Sequence, residues 1–317
     1  MHLNPITRKS AIAALLLLVV ILVAANIRRA VAPFGVEIAD YGKLSSAWGV
    51  VGAVALFIAG GFVVGKIQLR SGLMSGYTTL SIPLYALLSC GIFVASNVLP
   101  AAAVSLCFAI AIFLLLRSLH AAEEKDSVFF AAALLSVMAL IYPPSIVLFG
   151  LIPIALFALA LSMRQLILML VGYLFPILTA SYVSWYAGNE FWSIVKDLTT
   201  NLVSPHMMQV SHFPYVAAAM MVAVVVILIF GAFYGVSHRD RMSRLARTRR
   251  ALHLFILITL LALTMLLFPS CDITLLAIVA VPLAVLLSYV FDLLPNNYST
   301  IAYWVLLALF VLHLFVE

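Results

Sequence analysis

The sequence predicts an all-α protein, a polytopic bundle of about eleven transmembrane helices that forms a single membrane domain. Two observations lead to this class. The 317 residues are 66% hydrophobic and only 9% charged, whereas a soluble domain has about 25% charged residues. The apolar residues also form successive continuous runs of up to 24 residues, long enough to cross about 30 Å of hydrocarbon. Because these runs do not alternate with polar residues, they exclude a transmembrane β-barrel.

The spans are placed at the apolar runs, with boundaries that hold to a few residues. The first, Ala11–Asn26, follows a basic start, and we interpret it as an uncleaved span because further spans follow at once. The others, in chain order, are Ala47–Gly65, Tyr77–Ser96, Pro100–Leu116, Val128–Tyr142, Ser145–Ser162, Gln165–Gly188, Pro214–Val236, Ala251–Phe268, Ile273–Val290 and Ile301–Val316. Short outer turns that hold prolines, such as Pro143-Pro144, indicate tight helical hairpins.

The loop 237–250 predicts the orientation of the bundle, because it holds six arginines between two apolar runs. Basic residues resist translocation, so this loop and the amino terminus are expected in the cytoplasm of a bacterial inner-membrane protein. With this orientation 13 of the 17 Lys and Arg residues lie on the cytoplasmic side. The net charge of +6 therefore indicates contact with anionic lipid headgroups along Arg239–Arg250, and no nucleic acid is expected as a partner.

Two longer loops, 27–46 and 189–213, are predicted to face outward. The second is partly amphipathic, because apolar residues recur in it at helical spacing with charged residues between them. The apolar set is Phe191, Trp192, Val195, Leu198 and Leu202. This pattern predicts a helix that lies in the membrane interface, next to an aromatic belt at the end of the seventh span.

The first outer loop supplies the candidate site. Glu37 and Asp40 are candidate general bases for an acceptor hydroxyl. The nearby Arg28, Arg29 and Lys43 are candidate ligands for the phosphate of a lipid carrier. The same residues are also expected in an ordinary solvent-exposed loop without a binding or catalytic role, and both interpretations stay open.

No metal or cofactor is expected. The three cysteines show no CxxC spacing. His253 and His313 belong to spans that place them near opposite faces of the membrane, and His206 and His212 lack an evident third ligand in the sequence.

From Lys66 to Ile194 the chain resembles an uncharacterised family of bacterial inner-membrane proteins with many spans. The motifs that carry this resemblance are Gly65-Lys66, the turn Ile141-Tyr142-Pro143-Pro144-Ser145, and Arg164 followed by Gly172 and Pro176. The resemblance implies no particular activity.

The same segment is similar in layout to GT-C glycosyltransferases, which take a sugar from a polyprenyl-phosphate carrier at the outer face of a membrane. The matching residues are Tyr142-Pro143-Pro144, Arg164, Pro176, Trp185-Tyr186, Gly188 and Phe191. The resemblance implies a catalytic acid in the first outer loop, where this chain has Glu37 and Asp40. The sequence departs from that layout because its acids are not adjacent and its outer turn lacks a lysine.

Three functions remain open. A non-catalytic subunit or scaffold of a cell-envelope complex, with a membrane protein as partner, is favoured, because the middle of each predicted span lacks charged residues. This interpretation includes a degenerate relative of the GT-C enzymes that kept the bundle and lost the chemistry. The alternative is a GT-C-like glycosyltransferase that uses a polyprenyl-phosphate-linked sugar. The third is a transporter of lipids or small molecules, although the missing charges disfavour proton coupling.

Overall fold

A computed structural model describes residues 47–73, 80–91, 98–118, 126–159, 162–203, 215–237, 246–268, 270–271 and 274–316. Within these residues all regular structure is helical, so the predicted all-α class is confirmed. The predicted first span, the first outer loop and most of the arginine-rich loop lie outside the described residues.

The described part of the chain forms eleven α-helices, and the long ones follow the apolar runs. They are α1 (Ala47–Ser71), α2 (Ser81–Gly91), α3 (Val98–Ser118), α4 (Asp126–Ile141), α5 (Leu151–Leu159), α6 (Met163–Tyr186), α7 (Ser193–Val203), α8 (Tyr215–Ser237), α9 (Ala246–Leu263), α10 (Thr274–Leu293) and α11 (Asn296–Val316). Two 3₁₀ helices, Pro143–Gly150 and Thr264–Leu267, precede α5 and follow α9.

Four of these helices contain segments that are long and apolar enough to cross a membrane. The segments are Gly52–Ser71, Leu99–Arg117, Met163–Tyr186 and Leu275–Leu293, in α1, α3, α6 and α10. Shorter apolar helices occur at Asp126–Ile141, Pro143–Ala155, Val222–Tyr234 and Arg250–Leu263. The count of eleven spans and the orientation of the chain stay predictions.

The predicted span Ser145–Ser162 differs from a regular α-helix. It starts as the 3₁₀ helix Pro143–Gly150 and continues as the nine-residue α5. Two prolines open the 3₁₀ helix, and proline has no backbone N–H to donate to a preceding turn. At 2.0 Å per residue the 3₁₀ helix is about 16 Å long, and α5 adds about 14 Å. The segment as a whole therefore still matches a hydrocarbon layer of about 30 Å.

Contacts along the helices show which of their ends share a side of the bundle. Gly52 at the start of α1 approaches Leu99 at the start of α3. Near the other end of both helices, the guanidinium of Arg70 lies 5.5 Å from the ring centre of Phe113. The helices α1 and α3 are therefore parallel. The short helix α2 is antiparallel to α1, because Gly60 approaches Tyr85 whereas the later Gly65 approaches the earlier Ile82.

The helix α10 forms the centre of the bundle and contacts α1, α2, α3, α8 and α9. In its membrane-length segment 89% of the residues are buried, against 22% for α6. This difference in burial makes α10 the core helix, whereas α6 lies at the edge of the bundle.

One polar bridge crosses this apolar core. Ser105 Oγ of α3 donates a hydrogen bond of 2.8 Å to the carbonyl oxygen of Ala277 in α10. Because this bond uses the only proton of that hydroxyl, the Tyr85 hydroxyl of α2 is the donor in its 2.8 Å bond to Ser105 Oγ. The bridge joins three helices and satisfies hydroxyl groups that are fully buried in an apolar interior.

Candidate functional site

The acids and bases predicted as a site, Glu37, Asp40, Arg28, Arg29 and Lys43, lie outside the described residues. Their assignment stays a prediction. The described residues form a different feature, an apolar groove of about 660 Å³ between α4, α6 and α7.

We define the lateral groove by residues from three segments of the chain. Its walls include Val137 and Leu140 of α4, Phe175, Ala180 and Val183 of α6, and Ile194 of α7. The groove is open along one side rather than enclosed. Its shape and lining suit a flexible hydrocarbon chain better than a polar substrate.

A close contact between α4 and α6 precedes the lateral groove. A Cβ atom at Gly172 of α6 would lie 2.4 Å from the carbonyl oxygen of Phe129 in α4, so only glycine allows this approach. The lining of the groove begins one turn later, at Phe175 and Pro176. This contact therefore sets the spacing of the two helices at the start of the groove.

The two hydroxyl groups of the lateral groove already have acceptors or partners. Thr179 Oγ1 donates to the carbonyl oxygen of Phe175 over 2.8 Å. Ser184 Oγ lies 2.9 Å from Ser193 Oγ, which joins the end of α6 to the start of α7. These bonds lower the polarity of the lining, so the groove presents mainly hydrocarbon to an occupant.

The helix α7 closes one end of the lateral groove and confirms the predicted amphipathic helix. Its residues Ile194, Val195, Leu198 and Leu202 are half-buried, whereas its charged residues and both threonines are exposed. Phe191 and Trp192 of the predicted apolar set precede the helix, which begins at Ser193. Gly188 permits the turn before α7 because its φ of +95° falls in the region that favours glycine. At the far end of α7, Ser270 Oγ donates a 2.8 Å hydrogen bond to the Leu202 carbonyl oxygen.

A pair of opposite charges lies beside the closed end of the groove. The Lys196 ammonium donates a hydrogen bond to the Glu190 carboxylate, and both side chains are exposed. This hydrogen bond, and secondly the positive charge of Lys196, hold the pKa of Glu190 below its usual value. The Glu190 carboxyl is therefore ionised near neutral pH. Aromatic rings surround this end, with Tyr182 against Trp185 and Phe191 against Trp192.

Most of the basic side chains in the described ranges gather at the opposite end of the bundle. Arg70 and Arg117 belong to the last turns of α1 and α3, which are parallel. Arg164 at the start of α6 and Arg250 in the first turns of α9 are both exposed. The orientation of these ends relative to a membrane stays a prediction.

Sequence reasoning missed the lateral groove, because its apolar lining has no motif. One pattern in the sequence could have indicated a groove here. The span that contains Pro176 is followed directly by an amphipathic segment. No group of His, Cys, Asp and Glu suited to a metal ion occurs among the residues that the structure describes.

A model of a protein family, described as a family of unknown function (DUF6427), matches residues 10–317. No curated protein and no solved structure matches the chain. The family match extends well beyond the Lys66–Ile194 segment in which the sequence motifs occur.

Proposed function

The chain belongs to the family of unknown function DUF6427, and we propose that it is a non-catalytic subunit or scaffold of a cell-envelope complex. In this proposal it is a multi-pass protein of a bacterial inner membrane. The observation that carries the proposal is the filled centre of the bundle, where α10 is enclosed by five other helices. A transport path or a deep catalytic chamber would need that volume.

The side chains around α10 support a rigid role. Leu287 and Phe291 of α10, Phe108 of α3 and Phe255 of α9 have no exposed surface. Close-packed interiors resist continuous deformation, so the helices around α10 form a stable platform. The outer helices, above all α6, are available to lipid and to a partner protein.

A topology experiment tests the proposed orientation. We expect a reporter fused after residue 245 to be cytoplasmic, with fluorescence from green fluorescent protein and no alkaline phosphatase activity. We expect a fusion after Val203, at the end of α7, to give the reverse pattern, because basic loops are retained in the cytoplasm. The control is a fusion after Ser118 of α3, which the predicted topology also places in the cytoplasm. Phosphatase activity at residue 245 would contradict the orientation.

A second experiment tests the scaffold role. We expect crosslinking in intact membranes, followed by purification of the tagged full chain, to recover one membrane protein at a constant ratio across preparations. The control is an unrelated multi-pass protein with the same tag and expression level. Recovery of the chain alone after efficient crosslinking would count against a scaffold.

One observation favours the GT-C-like enzyme as a second candidate. The chain runs along α4 to the Pro143 turn, returns to Arg164, and runs back along α6 to Trp185 in the order that this layout implies. Replacing Glu37 and Asp40 by Ala separates the two proposals. A scaffold keeps its partner and the envelope glycans unchanged, whereas the enzyme loses a glycan from the profile at normal expression.

A further inference from the structure

We propose that the lateral groove holds one acyl chain of a zwitterionic phospholipid whose headgroup lies on the Glu190–Lys196 pair. This inference rests on the proposed insertion into a membrane, but not on the scaffold role. It assigns an occupant to the groove from the chemistry of the lining, its volume and the charges at its end.

The lining selects hydrocarbon. The walls at Val137, Leu140, Phe175 and Val183 are apolar, and the hydroxyl of Thr179 is bonded to its own helix. Burial of apolar surface against such walls contributes through close contacts, since the surrounding lipid is equally apolar. A chain that fits the groove would therefore be retained longer than the freely exchanging lipid around the bundle.

The volume favours an acyl chain over a polyprenyl chain. One methylene needs about the space of a water molecule, roughly 30 Å³. An acyl chain of about 18 carbons then needs about 540 Å³ by the same estimate, and the groove offers about 660 Å³. A polyprenyl carrier of about 50 carbons needs roughly 1,500 Å³, so most of it would lie outside the groove.

The charges at the end of the groove complement a zwitterionic headgroup. Glu190 lies three residues after the lining residue Ala187, and Lys196 lies two residues after the lining residue Ile194. The two side chains bond each other, but the Lys196 ammonium has two further protons for a phosphate, and the Glu190 carboxylate has a second oxygen for the ammonium of phosphatidylethanolamine. A lipid with only negative charge would meet Glu190 as a like charge.

The aromatic residues fix the depth at which this headgroup would lie. Trp185, Tyr186 and Trp192 are exposed around the same end of the groove, and such rings are enriched at the level of lipid headgroups. An acyl chain that enters the groove at this end runs along it toward the centre of the hydrocarbon layer. A membrane lipid has the same orientation, with its headgroup at the interface and its acyl chains pointing inward.

The test uses the purified full chain in nanodiscs with equal amounts of phosphatidylethanolamine and phosphatidylglycerol. After transfer to detergent, bound lipids are counted by native mass spectrometry. We expect about one retained phosphatidylethanolamine per chain. The variant Ala180→Trp fills the groove and should reduce retention at least fivefold. The control Leu178→Trp, at an exposed residue of α6 outside the groove lining, should retain lipid as the wild type does.

Two further measurements test the headgroup contact and the location of the acyl chain separately. Replacing both Glu190 and Lys196 by Gln should lower the ratio of retained phosphatidylethanolamine to phosphatidylglycerol several-fold. Phosphatidylethanolamine with a photoreactive acyl chain should label peptides of α4 and α6 at the groove above the level seen on the exposed face of α8. This readout uses the wild-type chain, so it holds even if Ala180→Trp does not fold.

Several results would overturn the proposal. They are equal retention in Ala180→Trp, a preference for phosphatidylglycerol, labelling no stronger at the groove than at α8, or co-purification of a polyprenyl phosphate in place of the phospholipid. Any of these results with the predicted reporter topology would leave membrane insertion and the scaffold role standing. A reversed topology would instead remove the membrane arrangement on which this inference rests.

Discussion

Replacing Gly172 by Ala is expected to destabilise the bundle strongly. The new Cβ would lie 2.4 Å from the carbonyl oxygen of Phe129 and 3.1 Å from its Cα. These are backbone atoms of α4, so no side chain can rotate away and the two helices must separate. The overpacking penalty reaches about 3 kcal/mol, which for a chain of 317 residues corresponds to a fall in melting temperature of about 4–5 °C.

The direction of the change in stability distinguishes a close contact at Gly172 from its absence. Alanine in a helix interior is normally about 1 kcal/mol more favourable than glycine, so without the contact the variant would be more stable. The matched control is Gly150→Ala, where the nearest atom is a terminal carbon of the flexible Leu261 side chain at 3.1 Å. We expect the control to melt close to the wild type in fluorescence-detected size-exclusion assays. An unchanged or raised melting temperature for Gly172→Ala would contradict the close approach of α4 and α6.

Replacing Phe291 by Ala is expected to destabilise the bundle at least as strongly. Phe291 has no exposed surface in α10, the core helix. Its removal leaves a cavity that cannot collapse without moving several helices, and Phe to Ala changes in soluble cores cost about 3–5 kcal/mol. In a membrane the transfer of the ring to lipid costs little, so the loss of packing dominates and the lower end of that range is expected.

The matched control for this variant is Phe233→Ala in α8, because Phe233 is 71% exposed. Its ring already faces the surroundings of the bundle, so its truncation should change the melting temperature by about 1 °C or less. Phe291→Leu, which keeps most of the volume, should fall between the wild type and Phe291→Ala. Equal effects of Phe291→Ala and Phe233→Ala would contradict the central position of α10.

The sequence alone predicted the helices well because long apolar runs have few alternatives. The run from Gln165 became α6 within a few residues of its predicted ends, and the amphipathic segment became α7. The split of the span after Tyr142 into a 3₁₀ helix and α5 was not predicted. Prolines marked the turn, but they did not show that the tighter helix would continue as far as Gly150.

The arrangement of the helices could not be predicted from the same patterns. The central α10 and the peripheral α6 are both long apolar helices, and nothing in their composition tells a protein contact from a lipid contact. The lateral groove unites residues far apart in the sequence, such as Val137 and Val183. It depends on one glycine contact that becomes visible only when α4 and α6 are packed together.

The bond from Ser105 to Ala277 joins residues 172 positions apart, and this separation has a consequence for biosynthesis. Ribosomes add about 5–20 residues per second, so roughly 9–34 s pass between translation of the serine and of its acceptor. In the proposed membrane arrangement, α1, α2 and α3 lack during that delay the helix that completes their interior. A nascent chain stalled before α10 should therefore be especially sensitive to membrane proteases, and completion of α10 should end that sensitivity.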